Sequence, residues 1–142
     1  MAIFTADAVQ TINPGESAIF TYTVEPCRRG FVRHRNETGN FLLSGASNCR
    51  CKNPQYVVDF GANIAVATGG TAGAISVGIA IDGTTVPASE MIVTPAAVEE
   101  YFNVSREIDV SVWAGCCETI SVRNLSDQPI LMQNATIDIN RK

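Results

Sequence analysis

Histidine occurs once in this sequence, at His34, and tryptophan once, at Trp113. A nucleophile–histidine–acid arrangement would depend on that one imidazole, which sits between Arg33 and Arg35 on an alternating stretch. No G-x-S-x-G elbow supplies a serine to it. Glu99-Glu100 is the one adjacent acid pair, and neighbouring extended residues diverge, so it is poorly placed to flank a glycosidic bond and reads as a solvated loop. Phosphate-loop, dinucleotide, EF-hand and zincin patterns are missing as well. No residue set reads as catalytic, cofactor-binding or metal-ligating, and the expectation is a protein that is not an enzyme and needs no cofactor.

Charge is scarce. Charged residues make up 17% of the chain, below the globular average, which leaves neutral surface suited to assembly contacts. The net charge of −4 argues against nucleic acid as a partner. The charge is uneven, however. Residues 1–52 carry six Lys/Arg and four Asp/Glu, and residues 53–142 carry four and ten. Arg28, Arg29, Arg33, Arg35, Arg50 and Lys52 form either a solvated strand face or a patch for an acidic partner. The start, MAIFTADAVQ, lacks the basic and apolar regions of a signal peptide. The uncharged run Phe60–Ile81 is long enough for a membrane span, but glycines 69, 70 and 73 break it and Ile75, Val77, Ile79 and Ile81 alternate with small residues. It reads as two strands and a loop, with no membrane partner.

Five cysteines are present: Cys27, Cys49, Cys51, Cys116 and Cys117. The C-x-C and C-C spacings are not those of a zinc knuckle, and two adjacent strand cysteines face opposite ways. Buried thiols are the first reading, with one or two late-forming bridges as the second. Four N-x-[ST] sequons, at Asn36, Asn103, Asn124 and Asn134, read as turn chemistry.

Helical periodicity is nearly absent; Thr94–Tyr101 reads as one turn or a loop. Strand patterns recur at Glu16–Val24, Gly30–Arg35, Phe41–Ser44, Gln55–Ala67, Ala74–Ile81, Thr85–Val93, Ile108–Val112, Thr119–Arg123, Ile130–Met132 and Ala135–Asn140. Asp82-Gly83 marks a tight hairpin. Many short strands with turns between them predict an all-β antiparallel sandwich or barrel in one domain, residues 1–142.

The run YFNVSREIDVSVWAGCCETISVRNLSDQPILMQNATIDINR, Tyr101–Arg141, resembles the last strands of the tumour-necrosis-factor-like jelly roll, the fold of the heads of bacterial and phage collagen-like proteins. FTADAVQTINPGESAIFTYTV, CRRGFVRHRNETGNFLLSG and VDFGANIAVATGGTAGAISVGIAIDG are similar to small proteins of phages and prophages of Firmicutes. The resemblance implies a tumour-necrosis-factor-like jelly-roll sandwich that forms a homotrimer. It implies a virion structural protein, made in the bacterial host cytoplasm, that decorates the capsid and binds the major capsid protein or another virion protein. The alternative is a receptor- or glycan-binding head of a phage fibre or bacterial surface filament, with loops Arg35–Asn40 and Ala46–Pro54 facing a host-surface glycan. No collagen-like stalk accompanies the head, which favours a compact knob, and residues 1–11 are the expected docking arm.

Overall fold

Alternation of apolar and polar residues sets the strands, because successive side chains point to opposite faces. The computed structural model describes residues 1–27, 30–45, 53–113 and 117–142. The strands are β1 (Ala2–Ala6), β2 (Gln10–Ile12), β3 (Tyr22–Glu25), β4 (Val32–His34), β5 (Phe41–Ser44) and β6 (Gln55–Val66). They continue with β7 (Ile75–Ile81), β8 (Thr84–Thr85), β9 (Met91–Val93), β10 (Phe102–Ser111), β11 (Cys117–Asn124) and β12 (Ile130–Arg141).

Among the described residues two antiparallel sheets form. The first runs β10-β6-β12-β1-β3, with β2 also on β12; the second runs β4-β5-β11-β7-β8, with β9 also on β7. Their inner faces meet in one core. Val58, Phe60, Ala62 and Ile64 of β6 and Ile137 and Ile139 of β12 line one side; Phe41, Leu43, Ile79, Ile120 and Val122 line the other. Among the described residues no helix is long and apolar enough to cross a membrane. The Phe60–Ile81 run is the end of β6, a loop and β7.

The expected hairpin forms at Asp82-Gly83: both have positive φ (50° and 84°), and Ile81 pairs with Thr84. The strand expected at Ile108–Val112 begins earlier, at Phe102, and the structure differs from expectation in four further places. Residues 16–21 do not form a strand, because they cross between sheets. Ala18 N–H donates to Val122 O of β11 and Phe20 N–H to Thr38 O, and the chain bonds to β1 only from Thr21 N–H, which donates to Thr5 O, with the ladder starting at Tyr22. Thr85–Val93 is broken by Pro87, which opens a one-turn 3-10 helix, Pro87–Ser89. The buried Ser89 hydroxyl then fills the gap left between β8 and β9, accepting from Ile79 N–H at 2.8 Å. Ile130–Met132 and Ala135–Asn140 join into β12 through an irregularity between Gln133 and Thr136, where Asn134 has φ 53°. Finally, the segment 1–11, expected as a docking arm, lies within the first sheet. There β1 pairs with β12 on one side and β3 on the other and buries Ala2, Phe4 and Ala6. A strand with both edges paired has none to add to another sheet.

Candidate functional site

Strand β4 is short, and its parity decides which side chains reach the surface. Val32 is buried and His34 turns inward, so Arg33 and Arg35 both project outward. Arg33 pairs with Leu42 of β5, and Leu42 pairs with Thr119 of β11, which lays these three side by side on the outer face of the second sheet. The loop 35–40 closes over this row. Together Arg33, Arg35, Thr38, Asn40, Leu42 and Thr119, with His34 at the back, line a concavity of about 520 Å³.

The loop is held firmly. Glu37 takes a positive φ of 68°, and its N–H donates to Phe20 O at 2.9 Å. Thr38 Oγ1 donates to Arg35 O at 2.7 Å, and Thr23 Oγ1 donates to Asn36 Oδ1 at 3.1 Å. Gly39 passes so close to the crossing segment that a Cβ there would lie 2.6 Å from Ala18 O and 2.8 Å from Ser17 Cβ. Only glycine fits that approach.

His34 is a packing residue. Its ring stacks on Phe41 (4.2 Å between centroids, 15° between planes) and meets the edges of Phe4 and Phe20. Nδ1 lies 2.9 Å from Asn40 O and Nε2 3.2 Å from Phe20 O. Both nitrogens face main-chain carbonyls, so neither is turned to a nucleophile. At the far end of the core Tyr56 does similar work. Its hydroxyl donates to Ser44 O at 2.7 Å; burial pushes the phenol up, and the Arg141 guanidinium pulls it part of the way back.

Beside the concavity, Thr119 N–H donates to Asp82 Oδ1 at 2.8 Å, and Asp82 is hydrogen-bonded to the Glu118 carboxyl. That bond holds Asp82 below its ordinary value and raises Glu118 above its own. The fold therefore keeps a proton on Glu118 more tightly than the unfolded chain does. Glu118's contribution to stability is complete below its ordinary value of 4.5 and is lost as pH rises through its raised one. Asp82's contribution is present above 3.8 and is lost as pH falls through its lowered value. The Glu118→Gln variant keeps a donor at every pH. It is expected to gain melting temperature relative to the unmodified chain as pH is raised from about 4.5 to 7.5. Parallel melting curves would refute the shared proton.

The outer face of the first sheet has the opposite charge. Register places Glu107 opposite Asp59 and Asp59 opposite Asp138, three carboxylates in a row across β10, β6 and β12. Like charges directly opposite on neighbouring strands repel. Asp59→Asn is therefore expected to stabilise the fold by roughly 0.2–1 kcal/mol at low salt, with the gain shrinking as salt is added. Chemical denaturation at two ionic strengths measures it.

Apolar side chains gather at the β3 edge of the same sheet. Tyr22 is 63% and Val24 50% exposed. Exposed Ile19 is clamped to the strand beside exposed Val9 by two bonds with the Gln10 side chain. Trp113, 71% exposed, stands before β11.

No family model and no curated protein matches the chain. Among solved structures, the globular domain of zebrafish complement 1qA protein superposes with a TM-score of 0.60. The match covers 98% of this chain and 94% of that one at 11% identity. The fold is the tumour-necrosis-factor-like jelly roll. Looser matches are a family 35 carbohydrate-binding module from an environmental isolate (TM-score 0.41, 18% identity, 99% and 93% covered) and a family 35 module from Cellvibrio japonicus (0.31, 10%, 94% and 96%). The likeness to the complement 1qA domain is of fold alone.

Of the expected basic set, Arg33 and Arg35 come together on one face, while Arg28, Arg29, Arg50 and Lys52 lie outside the described residues. Cys27 packs half-buried against the core, Cys117 is exposed at the start of β11, and Cys49, Cys51 and Cys116 lie outside the described residues. Among the described residues no three His, Cys, Asp or Glu side chains converge as metal ligands would. The sequon residues Asn36 and Asn134 sit at turns or irregularities, Asn124 is buried, and Asn103 lies within β10. Sequence reasoning missed Leu42 and Thr119, whose only signal is register across β5 and β11, and the Asp82–Glu118 pair, whose only signal is register across β7 and β11.

Proposed function

We propose that the chain is a homotrimeric structural head that decorates a phage capsid. The apolar β3 edge carries this reading. Tyr22 and Val24 lie exposed on β3, and exposed Ile19 is tied through the Gln10 side chain to the segment that carries exposed Val9. Covering such side chains contributes about 1.5–3 kcal/mol each when burial is complete, a sufficient drive for association. The resemblance to threefold tumour-necrosis-factor-like heads selects three copies, and closed rotational symmetry is how one patch is covered without growing a filament. The trimer would bridge neighbouring capsid subunits and clamp them mechanically. Mass spectrometry of gradient-purified particles, from cells that carry the gene, tests the placement. A fixed stoichiometric ratio to the major capsid protein supports it, and absence from the particles overturns it.

A second reading, a receptor- or glycan-binding head, is favoured by the concavity on the second sheet. The loop Arg35–Asn40, a candidate for facing a glycan, forms its wall.

A further inference from the structure

We infer that the concavity between the loop 35–40 and β5–β11 is a binding site for an acidic sugar, one bearing a carboxylate beside ring hydroxyls. The inference rests on the recognition reading and names the ligand class of that site. It does not need the trimer, because one chain supplies the whole lining.

Four observations lead there. First, Arg33 and Arg35 are exposed on one side of one strand, and neither meets a carboxylate among the described residues; the ion pair present there is Lys142 with Asp109. Each guanidinium presents a planar fork of donors suited to a carboxylate, and both line the same concavity. Second, the remaining polar lining is neutral. The Asn40 amide and the Thr119 hydroxyl can donate or accept, and Thr38 Oγ1, having given its proton to Arg35 O, offers lone pairs. Such groups match sugar hydroxyls and are wasted on a bare phosphate. Third, Leu42 lies half-buried in the floor between Arg33 and Thr119, an apolar surface for the C–H face of a pyranose ring. A volume of about 520 Å³ lies within the range of small-ligand sites.

Fourth, the frame is built before any ligand arrives. Gly39 is wedged against Ala18, Glu37 is bonded to Phe20, Asn36 to Thr23, and His34 bridges Asn40 and Phe20 from beneath. A wall fixed in advance lowers the ordering cost of binding. A polyanion such as nucleic acid is disfavoured by the net charge of −4 and by the carboxylate row on the other sheet.

The test is titration of the full chain with glucuronic acid, N-acetylneuraminic acid, glucose and inorganic phosphate, followed by NMR, alongside an array of acidic and neutral glycans. The expected result is binding of a carboxylate-bearing sugar, with shifts at Arg33, Arg35 and Asn40. The R33Q/R35Q double variant should bind about tenfold or more weakly while its melting curve is unchanged. Binding of neutral sugars alone would overturn the acidic class and leave the recognition reading standing. Phosphate binding as tightly as the sugars would overturn the saccharide. No saccharide bound on the array would overturn both the inference and the recognition reading.

Discussion

Phe41→Ala is expected to destabilise the fold by roughly 3–5 kcal/mol. Phe41 is fully buried and stands where the two sheets and the crossing segment meet. His34 stacks on it at 4.2 Å, Phe4 of the first sheet tilts against it at 4.9 Å, and Phe20 of the crossing segment meets it edge-on at 5.1 Å. Removing the ring leaves a cavity that these three aromatics cannot close together. Phe4 is fixed by pairing on both sides of β1, and the His34 ring is seated between the Asn40 and Phe20 carbonyls. The loss converts to a fall of roughly 10–20 °C in melting temperature, read by circular dichroism at fixed protein concentration. Because His34 also backs the concavity, the variant should lose the ordered loop 35–40 before it unfolds globally. A fall of only a few degrees would mean that the cluster is not the joint described.

Asn124→Leu is expected to cost roughly 2–4 kcal/mol, although leucine is apolar and the site is buried. The Asn124 side chain donates to Ile12 O and to Gln128 O, both at 2.9 Å, and accepts from Ser126 N–H at 2.8 Å. Three main-chain groups, one of them remote in sequence and two in the turn that follows, thus depend on one amide. Leucine is close to it in size, leaves the buried Ile12 carbonyl unpaired and removes two part-buried bonds, and an unpaired buried group costs more than the bond it replaces contributes. The same residue's main chain ties Gly15 and Glu16 to the end of β11. Chemical denaturation measures the change. Asn124→Asp separates hydrogen bonding from packing: it keeps the acceptor for Ser126 and loses both donors. An unchanged midpoint in the leucine variant would contradict the role of the amide.

These two positions mark the limits of sequence reading. The alternation of Ile120 with Val122 and of Ile137 with Ile139 is local, and the structure buries all four. The Asp82-Gly83 hairpin and the outward parity of Arg33 and Arg35 are equally local. Asn124 carries a turn signal, yet its partner Ile12 is remote in sequence, so its burial could not be read. Glu107, Asp59 and Asp138 are ordinary strand carboxylates until register sets them side by side. Leu42 and Thr119 join Arg33 in the same way. The strand β1 is hidden because Ala2 and Ala6 carry little apolar bulk; only Phe4 marks the inner face. Residues 16–21 have strand composition but change sheets part-way, a path that depends on both sheets at once.

The light-scattering mass of the purified chain at micromolar concentration tests the proposed assembly most directly. The account predicts the mass of three chains, with the β3 edge around Tyr22 and Val24 covered by a neighbouring copy. The mass of a single chain would contradict it and leave that edge for a partner of another kind.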